Sequence, residues 1–131
     1  MAKVNGTLFA VYSGSDKILS STSATLNVNQ DLPDVTNKDS SGWAEHINGL
    51  RDWSIDFEGM YETTGSGLTA DEIVAIIVAR TADATVSFTP DALTSGWDGT
   101  GTFQNISITA DMEAGVTFSG TIVGNGALAA I

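Results

Sequence analysis

The sequence predicts a mainly β chain carrying one α-helix, and three observations point there. Apolar and polar residues alternate at period two in several separate segments, the pattern of a strand with one covered face. Hydrophobic residues make up 42% and charged residues only 16%, so Ser, Thr, Asn and 14 Gly carry the polar remainder, a balance that suits strands and turns. One stretch breaks the alternation with helix-start signals. The 131 residues form one domain by size, and at that length about 65–70% of the unfolded surface can be buried without staples.

Taken in order, the first strand is Leu8 to Tyr12 and the second Ala24 to Val28, where Ala24, Leu26 and Val28 alternate with Thr25 and Asn27. From Asp52 to Glu58 the pattern is clearest: Trp53, Ile55 and Phe57 go to a core, and Asp52, Ser54, Asp56 and Glu58 go to water. The helix spans Ala70 to about Arg80. Thr69 is its N-cap, Glu72 can complete a capping box, and Leu68 can staple onto Ile73. Ile73, Val74, Ile76, Ile77 and Val78 leave little polar circumference, so this helix is expected to lie well buried against a sheet or a neighbouring subunit.

Val86 to Phe88 is a short strand closed by Pro90, which has no ladder donor. In the closing pair, Ile106, Ile108, Ala110 and Met112 alternate with Asn105, Ser107, Thr109 and Asp111, then Val116, Phe118 and Ile122 with Thr117, Ser119 and Thr121. Asp111 to Gly115 is the hairpin connection. Asn29 to Gly49 shows no sustained period over about twenty residues, a length that in a compact domain marks a binding segment or one ordered by a partner.

Several classes of function are disfavoured. With no cysteine, there is no disulfide framework, thiolate site or cysteine nucleophile. The net charge of −11, from 16 acidic and 5 basic residues without a basic cluster, should repel DNA, since a grip on phosphates needs Lys and Arg in a patch. The apolar run Leu8 to Tyr12 is too short for a signal-peptide core or a membrane span, so no cleaved leader is expected.

His46 is the single histidine, with no companion at ligand or triad spacing. Asp52, Asp56 and Glu58 share a strand face, where residues two apart are about 6.8 Å from one another, a spacing that glycosidases use. Nothing supplies a sugar cleft, and a solvated acidic face is the simpler reading. Gly65-Ser66-Gly67 and Gly99-Thr100-Gly101 lack the phosphate-loop lysine and the dinucleotide fingerprint and read as turns. Asp98-Gly99 does not give the alternating ligands of a calcium loop. Asn5-Gly6-Thr7 and Asn105-Ile106-Ser107 match the glycosylation sequon without a secretion signal to support it. Trp43 and Trp97 stand in irregular stretches, where they either close over their own sheet or join a contact between subunits. No catalytic, metal or cofactor-binding residue is assigned.

Thr36-Asn37-Lys38-Asp39-Ser40-Ser41-Gly42-Trp43-Ala44-Glu45, continuing through Gly49-Leu50-Arg51-Asp52-Trp53-Ser54-Ile55-Asp56-Phe57-Glu58-Gly59, resembles the major tail protein family of long-tailed, non-contractile phages. There a Thr-Lys-Asp-Ser-Gly-Trp loop leads into a Gly-Leu-Lys/Arg-x-Trp-Ser strand. Asn5-Gly6-Thr7 is similar to the family's first strand. Gly101 to Ala110 with Gly115 to Ile122, through Gly126-Ala127-Leu128, is similar to its closing hairpin.

The resemblance implies a tail tube fold of two packed antiparallel sheets, a β-sandwich or partial barrel, with one flanking helix. It also implies hexameric rings whose sheets join into an inner barrel, stacked into a conduit for phage DNA in the virion tail, assembled in the host cytoplasm. Lys38, Asp39, Ser40, Gly42 and Trp43 become an inter-subunit or inter-ring loop, while Asp52, Asp56, Glu58, Asp111 and Glu113 are expected to contribute to an acidic lumen. The implied partners are further copies of the chain, the tape measure, the tail terminator and baseplate components. DNA passes without specific binding, and no membrane or cofactor is involved. The alternatives are the tube protein of a contractile tail, a secretion system or a gene-transfer particle, a carbohydrate-binding β-sandwich or adhesin, and, more distantly, a glycosidase acting through Asp56 and Glu58.

Overall fold

A computed structural model describes residues 10–14, 16–18, 21–62, 67–80, 84–89, 96–112 and 115–131. Seven strands and one helix follow in the order β1 Ala10–Ser13, β2 Asp16–Lys17, β3 Ser21–Gln30, β4 Arg51–Met60, α1 Ala70–Val78, β5 Ala84–Thr89, β6 Trp97–Thr109 and β7 Thr117–Ala130. A 3-10 turn, Lys38–Ser40, lies between β3 and β4. Leu8, Asn5 to Thr7, Gly65, Ser66, Pro90 and Glu113 lie outside the described residues.

The mainly β, one-helix expectation holds. The strands form one hydrogen-bonded sheet in the order β2-β1-β5-β6-β7-β4-β3, and every neighbouring pair is antiparallel. The reason that two layers become one sheet lies in the two longest strands. The first part of β6, Trp97 to Gly101, pairs with β5, whereas the first part of β7, Thr117 to Val123, pairs with β4. β6 and β7 pair with each other over nearly their whole length, with register breaks between Gly99 and Gly101 and between Phe103 and Asn105. Such bulges bend a strand and let it pass from one layer to the next. The sheet therefore curls, and β1 comes into contact with β3 at the far end of the order.

The core sits inside this curl. Trp53, Ile55 and Phe57 of β4 are buried, as their alternation predicts, with Val11, Val86, Phe103, Phe118 and Ile122 from four other strands. Phe57 meets Phe103 edge-on, with centroids 6.2 Å apart, and Phe118 at 6.1 Å, which ties β4, β6 and β7 together. Each such buried side chain stabilises the fold by about 1.5–3 kcal/mol before chain entropy is counted.

Helix α1 starts where the sequence places it. The Thr69 Oγ1 accepts the Glu72 backbone N–H at 3.4 Å and donates to the Glu72 carboxylate at 3.4 Å. Leu68 and Ile73 are both buried beside this cap. The helix is less covered than expected: Ala70 and Ile73 are buried, but Val78 is 77% exposed. Ile76 and Ile77 are part-buried against the core, and Val78 at the C-terminal end is left out of it.

Gly99-Thr100-Gly101 is strand, not turn, and Trp97 opens that strand instead of standing in an irregular stretch. Glycine is used here for room. A Cβ on Gly99 would come 2.8 Å from Trp53 Cζ2, and one on Gly101 would come 2.9 Å from Ile122 Cγ2. The outer end of β6 also departs from expectation, because Ile108 and Met112 are exposed. Ile108 still lies opposite the buried Phe118, and the strand then runs past the edge of the core.

Candidate functional site

Two surfaces stand out. One is the face of the sheet turned away from the core. Residues directly opposite on paired strands share a face, and Asp52, Asp56 and Glu58 of β4 lie opposite Asn29, Thr25 and Ser23 of β3. On the other side Asp56 and Glu58 lie opposite Thr121 and Ser119 of β7, which in turn meet Asn105 and Ser107 of β6. The result is a four-strand polar surface of hydroxyls and amides, with its carboxylates on one strand. Asp56 is held at the centre: its Oδ2 accepts Asn27 Nδ2 at 3.0 Å and its Oδ1 accepts the Thr121 hydroxyl at 2.8 Å. An open depression lies along this surface between Ser23, Asp56, Glu58, Asn105 and Thr121. It is a shallow trough and lacks the depth of a sugar cleft. Asp111 is exposed just beyond β6.

The second surface is the segment between β3 and β4, which is a hairpin arm and not a structureless loop. The Asp31 N–H donates to the Leu50 carbonyl at 2.8 Å, Gly49 to Asp31 at 2.7 Å, Ile47 to Pro33 at 3.0 Å and Val35 to Glu45 at 3.0 Å. The period is hidden by a slip in register. Gln30 pairs with Arg51, yet Asp34 bridges His46, so four residues forward on one side meet five residues back on the other. Gly49 takes up the difference where a side chain has no room, since a Cβ there would lie 2.8 Å from the Asp31 carbonyl oxygen.

The tip is stitched by short polar contacts. The Thr36 hydroxyl accepts the Glu45 N–H at 2.8 Å, Asp34 accepts the Thr36 N–H at 2.8 Å, and Asn37 accepts the Asp39 N–H at 2.8 Å. The Thr36 side chain and then its backbone N–H hold the Asp34 carboxyl below its ordinary value, with a smaller contribution from the charge of His46. Lys38, Asp39 and Ser40 form the 3-10 turn, and Gly42 follows with φ at +86°, a conformation that suits glycine. Trp43 is 78% exposed.

Leu32, Val35, Ile47 and Leu50 join Trp43 as exposed apolar residues of the arm, and none of them is legible from alternation. Their signal in the sequence is a set of apolar side chains flanking Pro33 and Gly49, in a stretch otherwise rich in turn residues. Trp97 is half-exposed at the base of the arm, whereas Trp53 is buried. Among the described residues no three His, Asp or Glu side chains gather as a metal site would require, and no helix is long and apolar enough to cross a membrane.

A family model described as phage tail tube protein matches residues 12–130. Comparison with curated protein sequences finds no match. Among solved structures, a chain in the virion of a native gene transfer agent particle is 17% identical, with a TM-score of 0.83 over 98% of this chain and 99% of that chain. A chain in the tail of an empty gene transfer agent particle with C6 symmetry is 20% identical, with a TM-score of 0.81 over 97% and 98%. The SPP1 tail tube gives 8% identity and a TM-score of 0.67 over 95% of this chain and 77% of that chain. At these identities the likeness is one of fold.

Proposed function

The chain belongs to the phage tail tube protein family, and from that membership we propose that it polymerises as stacked hexameric rings into the tail tube of a virion, through which DNA passes. The observation that carries this reading is the pair of open borders on the sheet. β3 ends it on one side and β2 on the other, each hydrogen-bonded along one edge only among the described strands. A ten-residue border strand without Pro or Lys invites pairing with another chain. Closure by copies of the same chain into a barrel removes the border. The C6 symmetry of the gene transfer agent tail supports six copies per ring.

The polar face then lines the bore. Six copies of −11 carry −66 before counterions, and phosphate is repelled from a wall that presents Asp52, Asp56 and Glu58. Asp111 stands at the rim of that wall. The arm, with Lys38, Asp39, Ser40, Gly42 and Trp43 at its tip, reaches the next ring. The work is assembly and passage, with no bond made or broken; the tape measure, terminator and baseplate are the further partners, met during assembly in the host cytoplasm.

Negative-stain microscopy of the concentrated protein tests this. Hollow six-membered rings or tubes are expected. A particle that stays a monomer at all concentrations, crowded or not, would count against it.

A further inference from the structure

The two ends of the protomer differ in shape, and the difference is self-complementary. β4 runs from the base of the arm at Arg51 to Met60, about 30 Å away at the usual rise per residue. At the arm end, a groove of about 730 Å³ opens between β3, β4 and the last part of β7. Leu26, Val28, Leu50, Trp97 and Leu128 give it apolar walls, and among the described residues Arg51 is the one cation lining it, beside Asp52. At the opposite end, by the turn that begins after β6, Gly115 lies against Met60 and the Tyr61 N–H donates to the Val116 carbonyl at 2.8 Å. Met112 stands on that turn at 93% exposure, the largest value among the exposed large hydrophobic residues, with Ile108 and Met60 part-exposed nearby and Asp111 next to it.

We infer that the Met112 turn of one copy seats in the Leu50–Trp97 groove of the next copy along the tube axis, with Asp111 facing Arg51. Three observations select a second copy of this chain as the occupant. A convex apolar knob and a concave apolar groove lie at opposite ends of the same strands, which is the arrangement of a head-to-tail contact. Repeated along the strand direction, such a contact does not close into a ring and propagates as an open stack. Arg51 on the groove, beside Asp52, offers Asp111 a partner of opposite charge, and Met, Trp and Arg are residue types favoured in buried contact cores. A flexible thioether also fills an irregular groove at little cost in fit. The seat adjoins the arm, so both contacts are made by one end of the protomer. This inference rests on the tube reading and names the ring-to-ring seat within it.

The absence of cysteine makes the test direct. Met112→Cys and Leu50→Cys, both at exposed positions, are mixed in equal amounts, assembled and oxidised. Disulfide-linked dimers are expected from the mixture, with none from either variant alone and none from Met112→Cys mixed with Val78→Cys on the helix. Met112→Asp should also raise the concentration needed for stacking by about tenfold or more while single rings still form. Tubes that assemble without the Met112–Leu50 link, or with a Met112–Val78 link, overturn the seat and leave the tube reading standing. Failure of the unmodified protein to form rings or tubes removes both.

Discussion

The Trp53 indole N–H donates to the Gly126 carbonyl at 3.1 Å, while its ring covers Gly124 at the place where a β-carbon would stand. One side chain thus fixes the curl of the sheet, because Gly124 and Gly126 belong to the late part of β7 and Trp53 to the start of β4. Gly124→Ala drives a methyl group into the ring. Overpacking of this kind costs about 1–3 kcal/mol, so the urea midpoint of the isolated protomer should fall accordingly. An unchanged midpoint would mean that Trp53 has room to move.

At the helix start, Thr69 is only 5% exposed and its hydroxyl makes the cap contacts to Glu72. Thr69→Ala removes them and should cost about 1 kcal/mol. Thr69→Ser keeps the oxygen and should recover most of it. Thermal melts of the two variants separate the cap from loss of the methyl group, which would leave Ser no better than Ala.

Much of this fold is legible in the sequence where one physical constraint acts alone. β4 lies between two partners with one face on the core, so Trp53, Ile55 and Phe57 alternate cleanly with Asp52, Asp56 and Glu58, and Thr69 announces the helix by its cap. Legibility fails where two constraints compete. Gly99 and Gly101 read as turns because glycine does both jobs, and only the Trp53 ring and the Ile122 side chain, distant in sequence, explain them as strand. The arm reads as aperiodic because a one-residue slip at Gly49 inverts the parity of the positions between it and the tip relative to β4. Alternation also cannot say where a core ends, so Ile108 and Met112 look inward by pattern and are exposed in the protomer.

Asp34 gives the arm a pH signature. Hydrogen bonds from Thr36, led by its side chain, hold the Asp34 carboxyl below its ordinary value of 3.8. A depressed carboxylate contributes order above its unfolded pKa, and that order is lost as pH falls through the lower folded value. The Thr36 amide resonance should therefore titrate with a midpoint below 3.8, and the shift should vanish in Asp34→Asn. A midpoint at or above 3.8 would mean that the Asx contact at the tip does not persist in solution.

Trp43 at 78% exposure has little to lose within the protomer. Surface changes of this kind usually alter stability by less than about 0.5 kcal/mol. Buried between copies, the same indole would be an anchor worth about 2 kcal/mol or more. Trp43→Ala should then leave the melting temperature of the protomer unchanged and weaken polymerisation about thirtyfold, read by light scattering against concentration. Equal assembly by variant and parent would exclude the arm tip from the contact.

The acidic wall makes the sharpest prediction about passage. Asp52, Asp56 and Glu58 are exposed on β4, and changing all three to Lys shifts each by two charges, taking the protomer from −11 to −5. Loss of the Asn27 and Thr121 bonds to Asp56 should cost no more than about 1 kcal/mol at an exposed site, so folding and ring formation should survive. A ring of six such protomers turns eighteen carboxylates on its wall into ammonium groups. Assembled tubes of the variant should co-sediment with short DNA at low salt and release it as salt rises, because each neutralised phosphate returns its counterion. The neutral set Asp52→Asn, Asp56→Asn and Glu58→Gln should bind far less, which separates attraction by the new lysines from loss of repulsion. If tubes carrying the three lysines hold no more DNA than the parent, the β4 carboxylates face the outside, and another strand face must line the bore.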